Sequence, residues 1–195
     1  MILDEWRMPA PDIRLCLAAV LAMVGTQALV LLAMGHPLIC ECGHVALWHG
    51  AASGPQTSQH LTDWYSFTHV EHGLLFYALI TWLLAGAPFR TVMLVAFGIE
   101  AVWEILENTP LIMDRYRQTA LAAGYFGDSV VNSLGDTVAM GVGLAIARLA
   151  PVRVSIVLAL LLEGVLLFAI RDNLTLNIIQ LVAPIEAISA WQAGG

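Results

Sequence analysis

Long apolar runs separated by short polar segments set the rhythm of this chain. A helix rising ~1.5 Å per residue needs about 20 apolar residues to cross a ~30 Å hydrocarbon core, and about five stretches approach that length. The helices they predict cover about 13–34, 69–85, 89–108, 129–149 and 152–170. The first follows a polar start with Asp4, Glu5 and Arg7 and stops at Gly35-His36-Pro37. It exceeds the apolar core of a cleaved signal peptide, so a retained helix is expected. Thr68-His69-Val70-Glu71 reads as a capping box opening the second helix. Gly86 and Pro88 mark a tight turn that makes the second and third helices an antiparallel pair, and Pro110 stops the third. Asp128 is the expected cap of the fourth, and Pro151 separates it from the fifth. Leu174 to Trp191 is apolar but interrupted by Pro184 and Glu186, which suits an interfacial or re-entrant segment. The pattern predicts an all-α transmembrane bundle of about five helices. It forms a single integral membrane domain over residues 1–195, with an outer loop over residues 35–67.

Composition removes the soluble alternative. Of 195 residues, 59% are hydrophobic and 12% charged, with a mean hydropathy of +0.79. Eight basic residues, all arginines, face fifteen acids, so no basic patch exists and a nucleic-acid partner is excluded. Arginine placement sets an orientation, because cytoplasmic loops carry the excess of positive charge. Arg7, Arg14, Arg90, Arg148 and Arg153 fall on one side; Arg115, Arg117 and Arg171 fall on the other, with the arginine-free loop 35–67. The bias favours an N-terminus on the cytoplasmic side.

Alternating helix direction brings distant polar residues to the face that carries the first loop. His69 and His72 open the second helix, Glu100, Glu104 and Glu107 close the third, and Asp128, Asn132 and Asp136 open the fourth; Arg171 and Asp172 end the fifth. Spacings of three and four put each of the first three sets on one helix face. A charge at the centre of a membrane helix costs about 2.5–3.5 kcal/mol, so these groups are expected to face the bundle interior and meet partners. Imidazoles and carboxylates so gathered could hold a divalent metal such as zinc, with His69, His72, Glu100, Glu104 and Asp128 as ligands. They could also divide acid and base roles among Glu104, Asp136 and Asp128. The bland alternative makes Asp128 a cap, Glu107 and Asn108 solvated and the remaining acids interhelical glue. Cys40-Glu41-Cys42-Gly43-His44 is a weaker candidate metal site, because the two thiols could equally be oxidised or structural. His36, His49 and His60 read as surface or loop-packing histidines.

Several strings carry a resemblance: His36-Pro-Leu-Ile-Cys-Glu-Cys-Gly, Ser58-Gln-His-Leu-Thr-Asp-Trp-Tyr, Glu104-Ile-Leu-Glu-Asn, Tyr125-Phe-Gly-Asp-Ser-Val-Val-Asn-Ser and Arg171-Asp-Asn-Leu-Thr-Leu-Asn. Together, from about residue 36 to Gln192, the chain resembles a family of uncharacterised bacterial multi-pass inner-membrane proteins defined by one domain of unknown function. The resemblance implies bacterial inner-membrane placement and no activity. Glu100 to Gly143 also resembles, at the level of architecture, membrane proteins related to the glycopeptide-resistance protein VanZ. Hydrolase signatures such as Gly-x-Ser-x-Gly and His-Glu-x-x-His are missing from the sequence. The residues point to a metal-binding or acid/base enzyme acting on a lipid or envelope substrate at the outer face. The alternative is a non-catalytic accessory or assembly protein whose polar network is structural. Transport has little support without an inverted repeat.

Overall fold

The computed structural model describes residues 9–119 and 121–194, so the polar start with Asp4, Glu5 and Arg7 lies outside it. The fold is all-helical, with no strand among the described residues. Its helices are α1 (Ile13–Ala33), α2 (Ser66–Leu83), α3 (Phe89–Glu107), α4 (Pro110–Tyr116), α5 (Val130–Leu149), α6 (Val152–Ile170), α7 (Leu174–Val182) and α8 (Glu186–Gln192). α1, α2, α3, α5 and α6 occupy the apolar runs. α1, α5 and α6 are long and apolar enough to cross a membrane. α2 and α3 are comparably long, but His69, Glu71 and His72 in one and Arg90, Glu100, Glu104 and Glu107 in the other dilute their apolar character.

Local chemistry corrects three expected boundaries. α2 begins at Ser66, two residues before Thr68, after a turn in which Tyr65 N–H donates to Asp63 Oδ1 at 2.8 Å and Asp63 N–H to Ser66 Oγ at 3.1 Å. α5 is capped by Ser129, whose Oγ accepts from Asn132 N–H at 3.2 Å, which leaves Asp128 free for other partners. Pro110 starts a further short helix, α4, suiting proline's place at a first helical turn. The C-terminal stretch breaks into α7 and α8, and Asn173 caps α7.

The distribution of polarity is inverted relative to a water-soluble bundle. Phe168 is 93% exposed, and large apolar side chains such as Leu15, Leu21, Leu29, Val152 and Leu160 also face outward. Gln27, Glu100, Glu104, Asn132, Ser133 and Asp136 are buried. The hairpin partners α2 and α3 touch, but α2 packs most extensively on α5. Glycine permits this approach: a Cβ on Gly73 would collide with the Met140 carbonyl, and one on Gly143 with the Val70 carbonyl. α1 belongs to the same bundle, because its buried Gln27 donates to Ser133 Oγ at 2.7 Å and Thr137 Oγ1 at 3.0 Å on α5.

The loop between α1 and α2 folds back as structure. Val130 N–H and Val131 N–H, at the open end of α5, donate to the carbonyls of Pro37 and Leu38 at 2.9 and 3.1 Å. Gln59 Nε2 donates to the Gly127 carbonyl at 2.8 Å, and Asn132 Nδ2 to the His60 carbonyl at 2.8 Å. The α2–α5 contact generates a first prediction. Gly143→Ala should lower stability by about 1–3 kcal/mol or more, as overpacking against backbone does. Gly98→Ala should be nearly neutral, since its nearest neighbour would be Met23 Sδ at 3.9 Å. Thermal unfolding of the two variants in detergent checks the difference.

Candidate functional site

His69 is the centre of the buried polar cluster. One turn into α2, its Nδ1 lies 2.7 Å from Glu100 Oε1 and 3.3 Å from Glu104 Oε1, both on α3. Its Nε2 lies 4.0 Å from Asp136 Oδ2 on α5. His72, one turn on, places Nδ1 3.2 Å from Glu100 Oε2. Spacings of three and four residues put each helix's contribution on one face, and packing of α2, α3 and α5 turns those faces together.

Hydroxyls hold the acids. Ser133 Oγ donates to Glu104 Oε2 at 2.6 Å, and Ser66 Oγ donates to Asp136 Oδ1 at 2.7 Å. Gln27 donates in turn to Ser133, so a relay runs from α1 through α5 to Glu104. Glu104 Oε1 is buried and has no hydrogen-bond partner, with the His69 Nδ1 nitrogen at 3.3 Å. Two overlapping triads, His69, His72 and Glu100, and His69, Glu104 and Asp136, each offer ligand atoms within 4.8 Å of one another. Three carboxylates thus face two imidazoles in a buried space, a donor set of nitrogen and oxygen suited to a divalent cation such as zinc.

The structure therefore brings together His69, His72, Glu100, Glu104 and Asp136, and leaves Asp128 apart. Asp128 Oδ2 accepts from Asn108 Nδ2 at 2.7 Å and Oδ1 from the Tyr125 hydroxyl at 2.8 Å, while its N–H donates to Asn108 Oδ1 at 2.7 Å. This reciprocal pair ties the segment before α5 to the end of α3. Burial raises the Asp128 carboxyl above its usual range. Cys40 and Cys42 are joined as a disulfide with His60 beside them, which is the oxidised alternative and offers no thiolate in that state. His60 packs against His44 and His49, His36 Nε2 lies 3.0 Å from the Asn108 carbonyl, and both are loop-packing groups.

Sequence spacing did not single out Asp63, Ser66, Gln27 or Ser133. Asp63 is buried at the mouth of α2, accepts from Ser58 N–H at 2.9 Å, and has its carboxyl raised by burial. Polar residues inside or beside apolar runs were the available signal. An apolar groove of about 410 Å³ reaches the cluster, lined by His69, His72, Leu75, Phe76, Trp103 and Ile178 among others.

An all-helical protein with an apolar exterior and a buried acid–imidazole core is the class that fold and cluster define. The chain belongs to the family described as Protein of unknown function (DUF2585), which it matches over residues 31–194. It is 48% identical over 174 residues to a UPF0314 protein of Sphingopyxis alaskensis, covering 89% of this chain and 93% of that one. It is 47% identical over 180 residues to the UPF0314 protein R03235 of Rhizobium meliloti, covering 92% and 91%. A UPF0314 protein of Novosphingobium aromaticivorans is 50% identical over 173 residues, covering 86% and 87%. None of these descriptions states an activity, and no solved structure matches the chain.

Asp172, just after α6, supplies a pH-dependent prediction. Burial raises its carboxyl from 3.8 to about 6, against the hydrogen bonds it accepts from Asn173 N–H, Tyr65, Asn177 and Gln192. The native state therefore holds a proton that the unfolded chain releases above pH ~4. Its contribution, up to about 3 kcal/mol, is present below the unfolded value and is lost as pH rises through the folded one. Thermal unfolding across pH 4 to 7 should show wild-type stability falling relative to Asp172→Asn between about pH 4 and 6, then running parallel.

Proposed function

We propose that this chain is a multi-pass bacterial inner-membrane protein whose buried cluster binds a divalent cation and performs acid/base chemistry on a lipid or envelope substrate at the outer face. Glu104 Oε1, buried and without a hydrogen-bond partner, carries the reading. An unneutralised carboxylate oxygen in such a place is costly, and a cation beside it would supply the missing charge. His69, His72, Glu100, Glu104 and Asp136 would hold the ion. A bound zinc would polarise a carbonyl or phosphoryl oxygen or lower the pKa of a bound water to about 7.

The protein's own groups have definable tasks. Ser133 fixes one oxygen of Glu104, leaving the other as a proton acceptor toward His69. Ser66 fixes Asp136 on the opposite edge of the imidazole, and His72 shares Glu100 with His69, orienting both rings. Membrane placement rests on the apolar exteriors of α1, α5 and α6. α2 and α3 complete five crossings as a single integral domain; with 18 and 19 residues they reach about 27–29 Å. α7 and α8 lie at the interface. Arginine distribution supports an N-terminus in the cytoplasm and the loop before α2 outside. The likeness of residues 100–143 to VanZ-related proteins agrees with this architecture and adds no chemistry.

A non-catalytic reading draws on the Gln27–Ser133–Glu104 relay, which could serve only to fix helix packing. Elemental analysis separates the two. Wild-type protein purified without chelator should hold stoichiometric metal, and Glu104→Gln should lose it while its melting temperature stays nearly unchanged. A metal-free wild type with a Gln variant destabilised by about 3–5 kcal/mol favours the structural reading. For topology, a membrane-impermeant thiol reagent should label Cys40 or Cys42 in intact spheroplasts after mild reduction. Labelling confined to lysed cells reverses the orientation.

A further inference from the structure

The Cys40–Cys42 disulfide ties no distant parts of the chain together. It encloses only Glu41, and the stabilisation a cross-link confers grows with the loop it closes. Backbone hydrogen bonds already hold the same segment. Gly43 N–H donates to the Cys40 carbonyl at 3.0 Å, closing a turn that Gly43, at a φ of 84°, completes. The surrounding loop is fixed by the Pro37 and Leu38 carbonyls on α5, by His49 N–H on the Thr62 carbonyl at 2.9 Å and by Leu61 N–H on the Ala46 carbonyl at 3.0 Å. Opening the S–S bond therefore leaves turn and loop in place.

The two sulfurs are not equivalent. Cys42 is exposed and Cys40 is 3% exposed, so an incoming thiolate reaches Cys42. The electron pair then leaves on Cys40, whose Sγ accepts the Cys42 N–H at 3.2 Å. Burial alone would resist a thiolate there, and this hydrogen bond offsets it; a better-stabilised sulfur leaves faster. Metal binding by the reduced thiols is the competing use. His60 stands beside the pair, but its Nδ1 accepts from Ala46 N–H at 3.2 Å and its Nε2 donates to Gln56 Oε1 at 3.1 Å, so neither nitrogen is free to ligate. Two thiolates alone fall short of the closed tetrahedral shell of a structural zinc site.

The surroundings select a partner. Leu38, Ile39 and Val45 are exposed on either side of the turn, Glu41 is exposed between the sulfurs, and residues 35–67 contain no Lys or Arg. An apolar polypeptide segment gains contact here, and an anionic thiol is repelled.

We infer that the Cys40–Cys42 pair is a thiol–disulfide exchange site, separate from the buried cluster, that takes two electrons from a polypeptide dithiol through attack at Cys42. One partner thiolate attacks Cys42 Sγ, the bond to Cys40 breaks, and a mixed disulfide forms on Cys42. The partner's second thiolate attacks its own sulfur in that mixed disulfide and releases Cys42. The partner leaves as a disulfide, and its two thiol protons pass through water to Cys40 and Cys42. Exchange with a second, disulfide-bearing polypeptide runs the same steps in reverse and restores the pair.

Full-length oxidised protein in nanodiscs would be mixed with reduced Cys-x-x-Cys peptides flanked either by leucine and valine or by glutamate. Alkylation and peptide mapping then count the thiols and distinguish Cys16. Each protein should oxidise one peptide. The apolar peptide should react at least about tenfold faster, the lower end of what electrostatic complementarity does to encounter rates. Cys40→Ser, which keeps Cys42, should form a mixed disulfide with oxidised peptide at least about tenfold faster than Cys42→Ser does, since access limits attack. The double serine variant should melt with the wild type. A pair that resists reduction while the protein stays folded, equal trapping at the two cysteines, or a double variant of lowered melting temperature overturns the exchange site. Equal or faster reaction of the glutamate peptide overturns the partner assignment. Stoichiometric zinc on the reduced protein that Cys40→Ser removes and Glu104→Gln retains makes the pair a metal site instead.

Discussion

One imidazole between three carboxylates governs the architecture. His69 meets Glu100 and Glu104 through one nitrogen and faces Asp136 through the other, and all four residues are buried. A charge in such surroundings is tolerated only when partners are held at hydrogen-bond distance. Three helices must therefore be brought close enough for side chains that span residues 69 to 136 to meet. Gly73 and Gly143 make that approach possible, and Ser66, Ser133 and Gln27 occupy the remaining polar valences except that of Glu104 Oε1.

The loop before α2 serves the same end by a different means. A helix beginning inside the bundle leaves its first N–H groups without partners. At α5 the Ser129 side chain satisfies one, and the Pro37 and Leu38 carbonyls satisfy those of Val130 and Val131. Loop backbone thus becomes part of the floor beneath the polar core, while Asn108 and Asp128 close it from the side of α3. The groove lies on the remaining side, where α4 and α7 meet the bundle.

Helix positions were legible because apolar length is a strong signal, and the bounds of α1, α3, α5 and α6 follow the runs closely. Grouping of His69, His72, Glu100, Glu104 and Asp136 was also legible, since periodicity and alternating direction were enough to put them at one level. Asp128 was not separable from that set in the sequence. Its exclusion depends on Asn108, which engages both its side chain and its N–H. Ser66 was missed because Thr68-x-x-Glu71 offered a capping pattern two residues later, inside the helix, and Ser66 shows its role only through contact with Asp136. The groove depends on α7 packing against α4, more than fifty residues apart in sequence, and no local pattern encodes it.

The polar relay also imposes an order on biogenesis. A chain synthesised from its N-terminus makes Gln27 first, then His69, Glu100 and Glu104, and only afterwards Ser133, Asp136 and Thr137. Glu100 can be neutralised early, because His69 and His72 precede it on the neighbouring helix of a short hairpin. Gln27 has no such early partner, and Glu104 has only the imidazole of His69 that Glu100 already engages, since the hydroxyls that hold both arrive with α5. On the membrane reading, the nascent protein carries incompletely partnered polar side chains in otherwise apolar segments until α5 emerges. The insertion machinery must therefore keep α1 and α3 from dispersing into lipid during that interval, and translation speed between residues 104 and 137 becomes a determinant of yield.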